Sequence, residues 1–314
     1  MTIEFRMLPE IVPLSWKVFL KKYGRYSIAL DGFVADGPKM DPSLPAANFN
    51  HHEKVSRLET RATCAQVHIL IQAGLFKTFR DENGPRAVVY MNDCDEDVST
   101  SATELKYPHL AESVINPRLN KLVDIVDKQD TMSGLYPFPV DMPILQEVAW
   151  VFEPYRRFRL AGGLDSRNSG AFESILADVE HRILKFIVGE QRRLTLDIRY
   201  KVIFSGTGWA MIEEIGPYGR QGALADGIKA FISVRKRDDG NYTYSFGRVS
   251  ECIPFPVPNI LRACDKKEDR HPHHWGGGST TGGSPRVGGS KQKPIAVFKI
   301  AETETRLYIC KSRH

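Results

Sequence analysis

Apolar and polar positions alternate along the first half of the chain in the way typical of α/β proteins. Residues 26–31 and 86–91 form short apolar runs that predict buried strands, each followed by a polar loop. A helix is also expected just after the second run, with Ser99 or Thr100 as its N-cap. Apolar residues at helical spacing predict helices over 58–79, 98–105, 118–128 and 172–188.

The pattern changes near residue 195, where β-type runs replace helical ones. A turn signal at residues 238–241, Asp-Asp-Gly-Asn, predicts a hairpin. We therefore expect an α/β domain with a doubly wound, mainly parallel sheet over 1–194, with a helical connector from about residue 146, and a smaller α+β domain over 195–314. Strands are predicted in the second domain over 200–204, 230–234, 242–246, 295–300 and 306–310.

Composition narrows the function only slightly. The 314 residues are 42% hydrophobic and 26% charged, so the chain can bury a large core. The net charge of +5 is only mildly basic for this length and falls short of the concentrated basic face that binds a nucleic-acid duplex. Five cysteines without a CxxC pair favour a reducing compartment. Because the chain has no uncharged apolar run of about 18 residues, we expect a cytoplasmic protein without membrane contact. The oligomeric state is not indicated.

Two short motifs carry the candidate chemistry. Asn50-His51-His52-Glu53 contains adjacent imidazoles, and residues 92–97, Asn-Asp-Cys-Asp-Glu-Asp, form an acidic group directly after a predicted strand. Imidazole and carboxylate groups together suit divalent cations, with imidazole favouring Mn²⁺ over Mg²⁺. Each motif has an alternative: the His pair as a surface loop, and the acids as a helix N-terminus, where the macrodipole favours one or two of them.

A glycine-rich tract over 275–290 interrupts the second domain. Its composition is that of a flexible linker. However, Trp275 and Arg286 are unusual in a linker, and backbone N–H groups with one guanidinium suit phosphate oxygens. We prefer a substrate-binding loop.

The motifs together resemble the DHH phosphoesterases, named for an Asp-His-His signature, which include manganese pyrophosphatases and small-oligonucleotide phosphatases. Asn50-His51-His52 is similar to the signature, and Asp95-Glu96-Asp97 with Ser101 resembles an Asp-x-Asp-x-x-x-Ser motif. Three departures are Asn50 in place of the signature Asp, Met91 in place of a metal-binding His, and the absence of a His directly after Gly278. The motif order is also reversed, which implies a permuted arrangement of strands around the same site.

The resemblance implies a two-metal site of Mn²⁺ or Mg²⁺ that is closed by the glycine-rich loop of the second domain. Asp124 or Asp127 would supply a ligand from the third helix, whereas Asp130 is interpreted as part of a solvated face. His52 and Asp97 would be catalytic. The implied metal ligands are Asp31, His51, Asp95, Asp97 and Asp127. The implied substrate contacts are Arg248, Gly277, Gly278, Ser279, Gly283, Ser284 and Arg286.

Three functions therefore stay open. The first is a metal-dependent phosphoesterase that acts on a small phosphorylated or nucleotide-like substrate, with a short oligonucleotide as a further possibility. The second is a catalytically decayed relative that binds a nucleotide or another anion as a regulatory module. The third is a nucleic-acid-binding protein that uses Arg192, Arg193, Arg199, Lys201, Arg235, Lys236 and Arg237.

Overall fold

The computed structural model describes residues 2–56, 59–112, 116–268, 273–285 and 288–311. The chain divides into two compact units, the first holding Met1–Thr131 and Pro143–Leu194, and the second holding Met132–Met142 and Thr195–His314. The short segment Met132–Met142 thus belongs to the second unit, although it was expected in the first. The first unit has an α/β fold with a mostly parallel sheet and the second has its own sheet, so the predicted fold class is confirmed.

In chain order the strands of the first unit are β1 (Thr2–Met7), β2 (Ser27–Leu30), β3 (Lys39–Asp41), β4 (Ala46–Phe49), β5 (Arg80–Asp81) and β6 (Gly84–Met91). Strands β2 and β4 are buried along their whole length, whereas β1, β3 and β5 are largely exposed. The spatial order is β1-β6-β2-β4-β3, with β5 paired to β6. Strands β1, β6, β2 and β4 run parallel, while β3 and β5 are antiparallel to their neighbours.

Both faces of this sheet are covered. Ile28 and Ala29 are neighbours in β2 and therefore point to opposite faces, yet both are fully buried. Phe19 packs against Ala29 on one face. The helices of the unit are α1 (Trp16–Tyr23), α2 (Thr63–Gln72), α3 (Leu75–Thr78), α4 (Glu96–Lys106), α5 (Pro108–Glu112), α6 (Pro117–Thr131), α7 (Pro143–Leu160) and α8 (Ser169–Val188), with a 3₁₀ turn at Gly163–Ser166.

Helix α4 begins earlier than the sequence suggested. Its N-cap is Asp95, whose Oδ1 accepts a hydrogen bond from the backbone N–H of Val98 at 2.9 Å. Ser99 and Thr100, the predicted caps, lie inside the helix, where their hydroxyls donate to backbone carbonyls. The helix is buried on nearly all sides, so hydrophobic periodicity does not mark its start.

The strands of the second unit are β7 (Tyr200–Ser205), β8 (Ala210–Glu214), β9 (Ala230–Lys236), β10 (Tyr242–Arg248), β11 (Gly276–Gly277) and β12 (Thr281–Gly283), and its helices are α9 (Gly219–Ala225), α10 (Val257–Glu268) and α11 (Pro294–Lys311). The strands form a mixed sheet in the order β11-β12-β10-β9-β8-β7. Strands β8 and β9 run parallel, and the other neighbouring pairs are antiparallel. The predicted hairpin at 238–241 is confirmed, with Gly240 at φ 83°.

Two predicted strands, 295–300 and 306–310, are wrong because both lie within α11. The buried residues of this helix are Val297, Ala301 and Thr305, spaced four apart. That spacing is helical, and the β-branched composition of the segment obscured it. None of the helices in the described part of the chain combines the length and apolar character needed to cross a bilayer.

Candidate metal centre

Three parallel strands of the first unit deliver polar side chains to one edge of the sheet. Asp31 follows β2, His51 follows β4, and residues 93–97 follow β6. The carboxyl ends of neighbouring parallel strands lie at the same edge, where open α/β sheets form their sites. Accordingly, Nε2 of His51 is 3.5 Å from Oδ1 of Asp31 and 3.7 Å from Oδ2 of Asp97. Residues more than 60 positions apart in the sequence are thus brought together.

Helix α6 adds a fourth side chain, Asp130, whose Oδ2 lies 2.5 Å from Nε2 of His51. On the other side of the His pair, Nε2 of His52 lies 2.8 Å from Oδ1 of Asp31. Two overlapping groups have ligand atoms within 4.8 Å of one another: Asp31 with His51 and His52, and His51 with Asp97 and Asp130. These side chains could hold a metal ion, and we call them the His–Asp cluster.

Burial makes this cluster different from a surface group of acids. The side chain of His51 is 0% exposed, and neither ring nitrogen has a hydrogen-bond partner among the described residues. Oδ2 of Asp130 also has no hydrogen-bond partner among the described residues, although it lies 2.5 Å from Nε2 of His51. Buried polar atoms without partners carry a desolvation cost of about 1–3 kcal/mol each. A cation bound between the imidazole and the carboxylates would give Nε2 of His51 and Oδ2 of Asp130 a common partner.

The excess of acidic groups in and around the cluster also favours a bound cation. Burial, together with the neighbouring charges of Asp130 and Asp31, raises the pKa of Asp97 to about 7, while the charge of His51 opposes this rise. Burial and the charges of Asp31 and Asp93 hold the pKa of Asp95 well above its usual range. So many acids confined together repel one another unless positive charge is present.

The imidazole of His51 supplies part of that positive charge. Burial lowers the pKa of His51, but contacts with Asp130 and Asp31 outweigh it and raise the pKa to about 10. In return, burial raises the pKa of Asp31, but His51 and His52 more than reverse this, so the pKa lies well below its usual range. A metal ligand must be a neutral imidazole, so a bound cation would take the place of the His51 proton.

The turn after β2 is held in an uncommon conformation. Asp31 has a φ of 39° and Gly32 a φ of 75°, so two successive residues lie in the left-handed region. A non-glycine residue rarely adopts this conformation, and such strain clusters at functional sites. The hydroxyl of Thr63 donates to Oδ1 of Asp31 at 3.2 Å and helps to fix the carboxylate.

Asn50 stabilises this turn through its whole side-chain amide. Its Oδ1 accepts from the backbone N–H groups of Gly32 and His52, at 3.2 and 3.1 Å. Its Nδ2 donates to the carbonyls of Val34 and Asp36, at 3.2 and 2.9 Å, and to Oε2 of Glu53 at 2.6 Å. A carboxylate in this position could not donate at all. The departure from the Asp-His-His signature at residue 50 therefore has a structural reason of its own.

Two carboxylates bind the N-terminus of α2. Both oxygens of Asp97 accept backbone N–H groups, from Thr63 at 2.8 Å and from Cys64 at 2.6 Å. Oδ1 of Asp127 accepts from the N–H of Ala62 at 2.7 Å, while its Oδ2 pairs with Arg61 at 3.0 Å. These bonds satisfy orphan donors of the helix terminus.

The predicted ligand set therefore needs two corrections. Asp127 caps α2 and is not part of the cluster, and Asp130, one helical turn later, takes the place expected of Asp127. Asp95 caps α4 and belongs to neither group of ligand atoms. Its carboxylate interacts electrostatically with Asp31, Asp97 and Asp130 of the cluster. Asp31, His51 and Asp97 are placed in the cluster. Only the spacing of Asp130 three residues after Asp127 could have drawn attention to it, and that spacing had been interpreted as a solvated face.

The glycine-rich tract of the second unit is part of the sheet and not a free linker where the structure describes it. Strands β11 and β12 extend the sheet from β10. A Cβ on Gly277 would lie 2.3 Å from the carbonyl oxygen of Thr281, and one on Gly283 would lie 2.5 Å from that of Tyr244. These glycines allow close backbone approach within the sheet. By contrast, a Cβ on Gly278 would meet nothing within 4 Å.

The predicted substrate contacts of this unit mostly have structural partners. The guanidinium of Arg248 is buried and donates to the carbonyls of Ser279, Glu251 and Ile253, which corrects its assignment as a phosphate ligand. Ser284 pairs with the backbone of Tyr244 through both its N–H and its hydroxyl. Arg286 lies outside the described residues.

No family model of known proteins matches this chain, and no curated protein sequence matches it either. The resemblance to the DHH phosphoesterases thus stays a prediction, based on short motifs.

Proposed function

We propose that this protein is a divalent-metal-dependent phosphoesterase that hydrolyses a phosphodiester or phosphoanhydride in a small nucleotide-like substrate, with chemistry similar to that of the DHH phosphoesterases. The observation that carries the proposal is His51, a fully buried imidazole whose Nε2 lies 2.5, 3.5 and 3.7 Å from carboxylate oxygens of Asp130, Asp31 and Asp97, and whose Nδ1 has no hydrogen-bond partner among the described residues. A buried group of this kind is costly without a bound cation.

The ligand types support Mn²⁺ or Mg²⁺, and the imidazoles favour Mn²⁺. The two overlapping groups share His51, so one or two ions fit the same set of residues. Two bound divalent ions would polarise a phosphoryl oxygen and lower the pKa of a water molecule. The ligand set contains no cysteine. Cys64 and Cys94, the cysteines closest in sequence to the cluster residues, are buried thiols whose pKa is raised by burial.

The residues of the cluster divide the remaining work. His51 is enclosed, whereas the side chain of His52 is 35% exposed and oriented by Asp31 at 2.8 Å. His52 is therefore the imidazole that a substrate can reach, and we assign it to contact a phosphate oxygen or to supply a proton to the leaving oxygen. The carboxylate of Asp97 belongs to the cluster and also accepts the backbone N–H groups of Thr63 and Cys64 at the start of α2.

The decayed-relative hypothesis loses its main argument. It was based on Asn50 and Met91 as lost ligands, but Asn50 donates hydrogen bonds that an aspartate cannot make, and Asp130 contributes an additional acid. The cluster retains enough carboxylate and imidazole groups for a divalent ion without either position.

The proposal is tested by metal binding and by turnover. We expect purified protein to bind Mn²⁺ in calorimetric titration and to release product from some member of a panel of short diesters and pyrophosphates. His51→Gln should weaken Mn²⁺ binding and abolish turnover. His109→Gln replaces an exposed histidine of α5 and is the matched control. Circular dichroism checks that both variants fold. A native protein that binds neither Mn²⁺ nor Mg²⁺, or that cleaves none of the panel, contradicts the proposal.

A further inference from the structure

The end of α7 and the segment after it are attached beside the acidic loop 93–97. The guanidinium of Arg156 contacts Oε1 of Glu96 through Nε at 2.8 Å and Nη2 at 2.7 Å. Nη1 of Arg167 donates to the carbonyl of Pro9 at 2.9 Å. The residue before Pro9, Leu8, is itself bound to Met91, the last residue of β6. Residues 156–167 are therefore fixed at both ends next to the loop that follows β6.

Arg159 lies between these two attachments. It is three residues after Arg156 and so lies on the same side of α7. The charges of Arg159 and Arg167 both act on Asp93 and counteract the burial that raises its pKa. Both guanidinium groups therefore lie within electrostatic range of the acidic loop.

These two guanidinium groups retain unused donors. Within the described residues Arg159 makes no hydrogen bond and no ion pair, and Arg167 donates only to one backbone carbonyl. Other arginines of the same region are committed: Arg157 pairs with Glu153 at 2.7 Å, and Arg156 pairs with Glu96. Arg167 also has a φ of 50°, an uncommon conformation for an arginine.

A guanidinium presents five donors in a rigid fork that fits phosphate oxygens. Two such groups with open donors, on a segment fixed beside the acidic loop, can bind phosphate oxygens in addition to those at the candidate metal centre. We propose that Arg159 and Arg167 form a subsite for a second phosphate group of the substrate, next to the phosphate bound at the His–Asp cluster. This inference rests on the proposed function and narrows its substrate class to diphosphates and to esters with an adjacent phosphate.

A structural role for the same arginines predicts different behaviour. If they only offset the charge of the acids, removing one would lower the stability of the protein and change Mn²⁺ affinity. If they bind a second phosphate, Mn²⁺ affinity and stability stay unchanged and only the affinity for the anion falls.

The test is calorimetric binding of inorganic pyrophosphate to the Mn²⁺-loaded protein. Arg159→Gln and Arg167→Gln should each weaken pyrophosphate binding about tenfold or more, as expected for the loss of a charge-assisted contact. Arg157→Gln, two residues before Arg159 in the same helix and paired with Glu153, should leave it unchanged. In turnover, Arg159→Gln should raise KM for a dinucleoside diphosphate but not for a dinucleoside monophosphate.

The possible failures are distinguishable. Equal pyrophosphate affinity of native protein and Arg159→Gln would overturn the subsite and leave the phosphoesterase proposal intact. Lower stability together with higher Mn²⁺ affinity in both Arg159→Gln and Arg167→Gln would also overturn it in favour of the structural role, because a guanidinium that only offsets the acids repels the cation. Absence of Mn²⁺ binding in the native protein would refute the phosphoesterase, while pyrophosphate binding that still depends on Arg159 would preserve the subsite.

Discussion

Replacing Asp127 and Asp130 separately by alanine should separate two functions of one helix. Both acids lie in α6 three residues apart, and both changes have the same effect on helix propensity. Asp127 binds the N-terminus of α2, whereas Asp130 faces His51. We expect Asp127→Ala to lower the free energy of unfolding and Asp130→Ala to lower the affinity for Mn²⁺.

The size of each effect follows from the contacts. Asp127→Ala removes a buried hydrogen bond to a helix N-terminus, which stabilises a protein by about 1–2 kcal/mol. Its ion pair with Arg61 adds little, because the Arg61 side chain is 61% exposed and exposed pairs contribute about 0–1 kcal/mol. A total near 2 kcal/mol lowers Tm by about 4–8 °C in a domain of this size.

We expect Asp130→Ala mainly to lower the affinity for the metal ion. Removing an outer partner of a metal ligand weakens affinity about 10–100-fold, and removing a direct ligand should exceed that range. The change in metal-free stability should be smaller than that of Asp127→Ala, since Asp130 attracts the His51 imidazolium but repels Asp97. These contributions oppose each other.

Urea denaturation of metal-free protein and calorimetric titration with Mn²⁺ measure the two quantities independently. Asp124→Ala is the control, because Asp124 lies in the same helix and, among the residues that the structure describes, its ion pairs are with Lys121 and Lys128 at the surface. The reasoning is refuted if Asp127→Ala abolishes Mn²⁺ binding in a folded protein while Asp130→Ala retains it.

Three further predictions concern other parts of the structure. Asn50→Asp should destabilise the protein by about 1–3 kcal/mol in urea denaturation, since the Nδ2 donors are lost while their buried carbonyl partners remain; unchanged stability would contradict the assigned bonds. Gly282→Ala places a methyl group 2.4 Å from a side-chain carbon of α10 and should cost about 1–3 kcal/mol, whereas Gly278→Ala, with nothing within 4 Å, should leave Tm unchanged. Burial raises the pKa of Glu104 from 4.5 to about 7, although His68 opposes this rise. The folded protein therefore binds the Glu104 proton more tightly than the unfolded chain, and the free energy of unfolding should fall as the pH rises from 4.5 to about 7. Glu104→Gln should flatten this dependence of Tm on pH, and an equally steep curve would count against the assignment.

The sequence predicted the edge of the sheet better than the helices around it. The apolar runs that end at Asp31 and before the acidic loop predicted two of the loops at this edge, because parallel strands share one carboxyl edge. Strand β4, which precedes His51, was not predicted from the sequence. The segment that forms α11 was misassigned, since its β-branched residues outweighed the four-residue spacing of Val297, Ala301 and Thr305. Periodicity identifies a helix only when polar positions interrupt the apolar ones clearly.

Side-chain roles within the site were harder to predict, because they depend on which way a helix is rotated. Asp127 and Asp130 have the same charge and similar surroundings in the sequence, and only the packing of α6 against α2 decides which one faces His51. The same limit applies to Arg248, which was chosen for its charge and is instead bound to three carbonyls. Composition cannot distinguish an arginine with open donors from one whose donors are occupied.

The capping of α2 explains why the site takes its particular form. Asp97 and Asp127 come from two different helices, and both bind adjacent N–H groups at the start of α2. This fixes α4 and α6 against the same helix terminus, and residues three apart on a helix lie on one side. Asp130 is therefore directed at His51 as a consequence of the bond made by Asp127. It follows that Asp127→Ala should also weaken Mn²⁺ binding slightly, by no more than the about tenfold effect of an outer partner. The double variant should then lose less affinity than the two single losses combined, because once Asp130 is absent the cap has no ligand left to direct.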